Sequence, residues 1–216
     1  TEHPLDASWG YQVTGYYSPN CRFGKPDELK YLIDQLHHAG IGVILDWVPL
    51  HFCKDAHGLY QFDGSWLYEY PYEHDRENHQ WGTANFDLGK GMTRSFLLSN
   101  LKYWLEYFHF DGIRVDALSY ILYWRGETTE DKINHAAIDF IKRVNAMVKT
   151  DYKGVLMIAE DSSSFPKVTH SLEDGGIGFD MKWDLGWMND TLKYIGRPSV
   201  YRKYHSNEIT FGMYYN

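Results

Sequence analysis

The sequence predicts an α/β protein built on a parallel β-sheet, and three short apolar runs support this prediction. They are "GIGVILDWVP" (40–49), "FDGIRVDAL" (110–118) and "KGVLMIAEDS" (153–162). Each run is almost continuously apolar, which is typical of strands covered on both faces in a parallel sheet. A helical pattern precedes each run, which indicates alternating helices and strands joined by right-handed crossovers.

The three helices are predicted from apolar residues that recur at a spacing of three to four. The first is "KPDELKYLIDQLHHAG" (25–40), with Pro26 near its start and Gly40 closing it. The second covers 94–108 and the third 133–148. Two weaker strand candidates lie towards either end of the chain, "GYQVTGYYSP" (10–19) and "GIGFDMKWD" (176–184).

A long irregular stretch, 51–92, follows the first strand and is dense in aromatic residues and histidine. Loops of this length inside a compact α/β domain are usually functional, and a packed Ω-loop is the alternative. The aromatic loop, 51–92, is therefore either a binding segment or a structural cover.

Each predicted strand ends near an acid: Asp46, Asp116 and Glu160. Active sites of parallel α/β folds gather at the carboxyl ends of the strands, so we expect the three acids to lie together. Two carboxyl groups beside an aromatic groove suit glycoside chemistry, with one as nucleophile and the other as proton donor. Helix capping and a site for Mg²⁺ or Ca²⁺ are the competing uses of such acids.

Arg114 lies two residues before Asp116, on the same face of the strand. We expect its charge to favour the ionised form of Asp116, as a nucleophile requires. Glu160 ends an apolar run, where loss of water would favour the protonated form that suits a general acid. An inert ion pair between Arg114 and Asp116 is the alternative.

The composition argues against some classes of partner. With 21 Lys and Arg against 29 Asp and Glu, the net charge is −8, which disfavours nucleic acid and anionic membrane surfaces. No apolar run approaches the roughly 18 residues of a membrane span, and no signal peptide is visible. Cys21 and Cys53 lack metal-site spacing, and we expect both to be reduced, buried and inert.

The chain starts at Thr1 and ends in the β-prone run "ITFGMYYN" (209–216), so we expect a fragment of a longer protein. Three motifs then point to a family. "DWVPLHF" (46–52), "DGIRVDAL" (111–118) and "MIAEDS" (157–162) resemble, in the right order, conserved regions of the α-amylase superfamily. The sequence around these motifs, above all "GFDMKWDLGWMNDTLKYI" (178–195), resembles glycogen branching enzymes more closely than other members of the superfamily.

This resemblance implies a catalytic pair and its neighbours. Asp116 matches the family's nucleophile, which forms a covalent glucan–enzyme intermediate, and Glu160 matches its general acid/base. Arg114 matches the arginine beside the nucleophile. The implied partners are α-1,4-glucans (glycogen, amylose and maltooligosaccharides), with no cofactor and no metal. The implied reaction is the formation of α-1,6 branches. Another hydrolase or transglycosylase of the superfamily, or a fragment that only binds glucan, is the alternative. We expect the protein in the cytoplasm, because both cysteines look like reduced thiols.

The resemblance also implies substrate-binding residues. Asp46 and His51 match the first conserved region, with His51 on the sugar at the cleavage point, and Tyr11 matches a tyrosine that stacks on the same sugar. Tyr68 and Trp81, in the aromatic loop, are weaker candidates for glucan contacts.

Two departures from the family pattern affect the prediction. Leu50 stands where the family usually has Gly, which changes the expected shape of that loop. The fourth region, with the family's third acid, is expected beyond Asn216. The resemblance therefore implies an incomplete (β/α)₈ TIM barrel, about strands two to six of eight, whose isolated chain we expect to be inactive.

Overall fold

The computed structural model describes residues 1–210, which form an α/β fold around a four-stranded parallel sheet. The strands of this sheet, in spatial order, are β1 (Ile44–Trp47), β5 (Gly112–Val115), β6 (Leu156–Ala159) and β7 (Met181–Lys182). The helices are α1 (Pro26–His38), α2 (Glu73–Arg76), α3 (Gly91–Phe108), α4 (Leu118–Leu122), α5 (His135–Asp151), α6 (Leu185–Gly196), α7 (Ser199–Arg202) and α8 (Asn207–Thr210). The three predicted strands and three predicted helices are confirmed, and α6 was not predicted.

Helix boundaries follow from local chemistry. Pro26 occupies the first turn of α1, and the Glu28 carboxylate accepts the Lys25 backbone N–H at 2.6 Å. The Asn134 side chain accepts the Ala137 N–H at 3.1 Å at the start of α5. These contacts satisfy backbone donors that have no partner within the helix, and so fix where each helix begins.

The strand register brings the functional positions to one face of the sheet. Asp46 of β1 pairs with Arg114 of β5, which pairs with Ile158 of β6 and then Met181 of β7. The ladder continues one step past the strands, because the N–H of Asp116 donates to the Trp47 carbonyl at 2.9 Å and the N–H of Glu160 donates to the Val115 carbonyl at 3.1 Å. The two predicted catalytic acids therefore stand side by side at the carboxyl edge.

The opposite face of the sheet contributes to the core. Ile113 and Val115 are fully buried, together with apolar residues of α3 and α5. The expectation that all three strands are covered on both faces is wrong for β1, where Ile44 is 51% exposed and burial alternates along the strand. β1 is an edge strand of the sheet, so its side-chain face at Ile44 and Asp46 remains accessible.

The aromatic loop is not irregular throughout. It contains a small antiparallel sheet of β2 (His51–Phe52), β4 (Thr83–Asn85) and β3 (Glu77–Asn78), in that spatial order. The first strand of this sheet, β2, starts four residues after β1 ends, so the aromatic loop lies beside the carboxyl edge of the main sheet.

The segment 10–19 is not a strand, contrary to the prediction, and makes only an isolated bridge between Gly15 and Glu2. Its apolar pattern reflects packing, because Val13 and Tyr16 are buried. The segment is held by side-chain hydrogen bonds and not by a strand ladder: the side chains of Asn100 and Trp104 donate to the Tyr16 carbonyl at 2.6 and 2.9 Å.

The predictions for the cysteines and the end of the chain have different outcomes. Cys53 is buried as expected, but Cys21 is exposed, since it lies in a surface 3₁₀ turn, and both are free thiols. In the run 209–216, Ile209 and Thr210 belong to α8, and 211–216 lie outside the described residues. Within residues 1–210, no helix combines the length and apolar character needed to cross a bilayer.

Candidate active site

The three predicted acids converge on the guanidinium group of Arg114. Its Nη1 lies 2.5 Å from Asp46 Oδ1 and 2.9 Å from Asp116 Oδ1, and its Nη2 lies 2.8 Å from Glu160 Oε2. The Arg114 side chain is 6% exposed and that of Asp116 is 11% exposed, so the charge-assisted hydrogen bond between them is shielded from water, whereas Asp46 is 47% exposed. One cation thus fixes three carboxyl groups, which leaves the cluster with excess negative charge.

This excess changes the expected ionisation of Asp116. Burial, which is the largest cause, and the negative charges of Glu160 and Asp46 together raise the pKa of Asp116 to about 7, against the lowering effect of Arg114. Arg114 favours the ionised form of Asp116, as expected, but desolvation and two neighbouring carboxylates together outweigh this one guanidinium. Asp116 and Glu160 also share a hydrogen bond, so the pair retains a proton near neutral pH.

A backbone turn links the two catalytic candidates. Ala117, directly after Asp116, has left-handed torsion angles (φ 49°, ψ 44°), and its N–H donates to Glu160 Oε2 at 2.8 Å. The N–H of Leu118 donates to the Glu160 carbonyl at 2.8 Å. The start of α4 therefore holds Glu160 by both its side chain and its backbone.

Tyr11 joins the same hydrogen-bond network. Its hydroxyl donates to Asp46 Oδ2 at 2.8 Å and accepts from Arg114 Nη1 at 3.0 Å. Burial and the hydrogen bond to Asp46 raise the pKa of Tyr11 to about 12, so the hydroxyl stays protonated. Tyr11 therefore lies at the acids, and its stacking on a sugar stays a prediction.

His51 and Trp81 form the wall across from the acids. Their ring centroids are 4.9 Å apart, and both line a cavity of about 340 Å³ that also contains Asp116 and Glu160. Burial lowers the pKa of His51 to about 4, so its imidazole is neutral at physiological pH. Its Nδ1 is buried without a hydrogen-bond partner among residues 1–210.

The structure separates the two weaker candidates. Trp81 lies in the cavity, whereas Tyr68 is buried in the core, with its ring 5.1 Å from that of Phe96. The suggestion that Tyr68 contacts a ligand is therefore wrong, since no part of the cavity reaches it.

Two further residues at the site were not predicted. The Trp183 ring packs 4.5 Å from the Arg114 guanidinium, and Tyr120 of α4 lines the cavity beside Trp81. The sequence held a signal for Trp183, because it follows β7 at the level that Asp116 and Glu160 occupy after β5 and β6. Tyr120 carried no comparable signal, because its position depends on the turn at Ala117.

The acids do not form a metal site. In the part of the chain that the structure describes, no three His, Cys, Asp or Glu side chains are arranged to hold a metal ion. The reason is visible at the cluster, where the guanidinium of Arg114 occupies the position between the carboxylates that a cation would take.

Comparison with known proteins agrees with this geometry. The family model described as "Alpha amylase, catalytic domain" matches residues 2–85. Over 214 residues the chain is 56% identical to a 1,4-alpha-glucan branching enzyme of Bacillus subtilis (strain 168), covering 99% of this chain and 34% of the relative. A 1,4-alpha-glucan branching enzyme of Nitrosococcus oceani is 51% identical over 224 residues, covering 100% of this chain and 30% of the relative. Residues 2–85 thus resemble the catalytic domain of α-amylases, and the chain as a whole resembles 1,4-alpha-glucan branching enzymes.

Solved structures of α-amylases share the fold of this chain. An α-amylase from Geobacillus thermoleovorans, complexed with acarbose, superimposes with a TM-score of 0.65 at 18% identity, covering 88% of this chain and 41% of that one. An Anoxybacillus α-amylase gives a TM-score of 0.67 at 17% identity, with coverage of 89% and 41%. The parallel sheet is thus part of an α-amylase-type (β/α) barrel. The chain spans about a third of the length of the curated relatives it matches.

Proposed function

We propose that this chain is the catalytic part of a 1,4-α-glucan branching enzyme, which cuts α-1,4 linkages and transfers the released glucan chain to a 6-hydroxyl group. The observation that carries the proposal is the paired carboxyl groups of Asp116 and Glu160 on one cavity, in a chain that matches branching enzymes along its whole length. The donors and acceptors are α-1,4-glucans, such as glycogen, amylose and maltooligosaccharides.

The proposed reaction has two displacements. In the first, the Asp116 carboxylate attacks the anomeric carbon while Glu160 donates a proton to the departing 4-oxygen, and the glucan becomes an ester of Asp116. In the second, Glu160 removes the proton from a 6-hydroxyl group of another glucan, whose oxygen displaces Asp116. The single proton retained by the pair meets the starting requirement, one ionised carboxylate and one acid.

The surrounding residues have supporting roles. Arg114 holds the departing ester carboxylate in place, His51 binds the sugar at the cleavage point, and the Tyr11 ring stacks on the sugar. Asp46 orients Tyr11 through the 2.8 Å hydrogen bond. The reaction needs no cofactor, because the glycosyl ester conserves the free energy of the cleaved bond.

We also propose that the chain forms about strands two to six of an eight-stranded barrel, and that further strands and a third acid lie outside the 216 residues. The match to only a third of each relative supports this. We assign the protein to the cytoplasm, since two free thiols, one of them exposed, suit a reducing compartment.

The test uses the protein expressed from its complete reading frame, incubated with amylose. We expect new α-1,6 linkages, measured by nuclear magnetic resonance and by debranching, and their loss in Asp116→Asn and Glu160→Gln. Asp139→Asn, an exposed carboxylate on α5, is the matched control. Branching that survives either catalytic substitution at the parent rate contradicts the roles, and release of reducing ends without α-1,6 linkages identifies a hydrolase instead.

A further inference from the structure

The chain that leaves Glu160 folds around the buried carboxylate of Asp161. The Asp161 side chain is fully shielded from solvent, and its Oδ1 accepts the backbone N–H of Ser163 at 2.9 Å and the Ser163 hydroxyl at 2.7 Å. The residue between them, Ser162, lines the catalytic cavity. The path of the chain from Glu160 along the cavity wall thus depends on a carboxylate that the proposed mechanism does not use.

The other oxygen of this carboxylate is bound from the neighbouring strand. Lys182 of β7 donates from its Nζ to Asp161 Oδ2 at 2.8 Å and to the Ser163 carbonyl at 2.9 Å. The Lys182 side chain is 31% exposed, so only the acid of the pair is fully withdrawn from water. A buried carboxylate needs a partner of opposite charge, and among residues 1–210 this ammonium group is the one cation within ion-pair distance of Asp161.

Each member of the Lys182–Asp161 pair adjoins a residue of the active site. Asp161 follows Glu160 directly in the chain. Lys182 precedes Trp183, whose ring centroid lies 4.5 Å from the guanidinium carbon of Arg114. The pair therefore connects the backbone at the proposed proton donor to the backbone at the ring that packs on the guanidinium group.

The strand β7 has a short ladder to hold it at this place. It is two residues long, both residues are exposed, and its ladder with β6 ends one step further, where the Trp183 N–H donates to the Ala159 carbonyl at 2.9 Å. A ladder of this length is at the lower limit of ordinary strands, so side-chain contacts carry a larger share of the position of β7. The bridge between Lys182 and Asp161 closes the two strands at their carboxyl edge.

A purely structural ion pair is the alternative, and a second pair on the same two strands provides the comparison. Lys149 of α5 lies 3.3 Å from Asp180 Oδ1, and Asp180 Oδ2 accepts the Met157 N–H at 2.8 Å. This pair stands at the amino end of β6 and β7, away from the acids, and both of its side chains are partly exposed. Removing it perturbs the same strands without touching the chain next to the site.

We propose that Lys182 and Asp161 are positioning residues for the proton transfer by Glu160. The inference rests on the proposed function, since it takes Glu160 to be the general acid/base. The pair fixes the backbone on the carboxyl side of Glu160, and this backbone sets the direction from which the carboxyl group reaches the glycosidic oxygen. A misplacement of about 1 Å at a reacting group can cost about 100-fold in rate, so a tie one residue away has a large effect.

The test compares two substrates of the protein expressed from its complete reading frame. The 4-oxygen of amylose needs a proton from Glu160 to depart, whereas the fluoride of α-maltotriosyl fluoride departs as an anion without one. Lys182→Met is expected to lower kcat on amylose between about 10-fold and 100-fold, with KM within about threefold of the parent. The first turnover of fluoride release, measured by rapid quench, is expected to stay within about threefold.

Four further variants make the result specific. Glu160→Gln gives the reference pattern, a large loss on amylose and a small one in the first turnover of the fluoride. Lys182→Arg keeps the charge and offers donors to both acceptors, so it should recover most of the rate on amylose. Asp161→Asn should reproduce the pattern of Lys182→Met, and the double variant should lose no more than the less active single variant. Lys149→Met is the control and should change neither rate.

The outcomes separate this positioning role from the proposed function. An amylose rate within about twofold of the parent in Lys182→Met, or an equal loss on both substrates, overturns the positioning role while the proposed function stands. An equal loss on both substrates in Glu160→Gln, or no branching by the unsubstituted protein, overturns the proposed function and this inference with it. Melting temperatures above the assay temperature show that each variant is folded, and Asp161→Asn decides the question if Lys182→Met is not.

Discussion

Replacing Arg114 with methionine tests whether its charge keeps Asp116 usable as a nucleophile. The two side chains are 2.9 Å apart at their nearest atoms, and both are almost fully shielded from solvent. Opposite unit charges about 4 Å apart interact by about 4 kcal/mol at an effective dielectric constant of about 20, which corresponds to a pKa change of about three. Arg114→Met is therefore expected to raise the pKa of Asp116 well above its present value of about 7.

The assay is the rate of branching of amylose between pH 5 and pH 10, with the protein from its complete reading frame. An ionised Asp116 is required for attack, so the rate rises with pH along an acidic limb. At pH 7 we expect a loss of between about 100-fold and 1,000-fold in Arg114→Met, and a limb displaced to higher pH.

Two further variants make the result specific. Arg114→Lys keeps the charge and loses the fork of donors, so its rate should fall while its acidic limb stays near that of the parent. Arg143→Met removes an exposed arginine and should change neither quantity. A limb that stays in place in Arg114→Met refutes the electrostatic reasoning, whatever the size of the rate loss.

Three other changes test the same physical account through stability. The pKa of Asp116 is raised from 3.8 to about 7, so between these pH values the folded state binds more protons than the unfolded state, and stability falls as the pH rises. Asp116→Asn should therefore raise the melting temperature, measured by calorimetry, more at pH 8 than at pH 4. Equal gains at the two pH values contradict this account. Lys182→Met leaves the carboxylate of Asp161, which is 1% exposed, without its ion-pair partner at 2.8 Å. The substitution should lower the free energy of unfolding, measured by urea titration, by about 2 kcal/mol, and an unchanged value shows that the ion pair does not contribute to stability. Gly126→Ala places alanine in a left-handed backbone conformation and presses its Cβ against the Tyr120 ring. The free energy of unfolding should fall by about 1–3 kcal/mol in the same titration, and an unchanged value indicates that the ring moves freely.

The sequence predicts the parts of this fold that depend on short-range pattern. The helices α1, α3 and α5 show their spacing and their ends directly, and the three strands are apolar runs between them. The meeting of Asp116 and Glu160 was predictable as well, because the carboxyl ends of neighbouring parallel strands lie at one edge.

Other features depend on distances that a linear pattern does not contain. The ionisation of Asp116 is set by how many carboxylates share Arg114 and how far water is excluded, and both are tertiary quantities. The segment 10–19 looks like a strand, but its backbone is bound by side chains of α3, Asn100 and Trp104, more than eighty residues away. The position of Tyr120 likewise depends on Gly126, which packs against its ring, and on Gln80, which accepts its hydroxyl from forty residues earlier in the chain.

The turn at Ala117 sets part of the geometry between the two candidate catalytic groups, together with the ladder between β5 and β6. The peptide unit of Ala117 follows Asp116 directly and binds Glu160 through its N–H. In glycoside chemistry, carboxyl groups about 5–5.5 Å apart lead to retention at the anomeric carbon, and separations of about 6.5–9.5 Å admit water and lead to inversion. Under the proposed roles, a residue whose side chain is a single methyl group thus helps to hold the separation on which the anomeric configuration of the product depends.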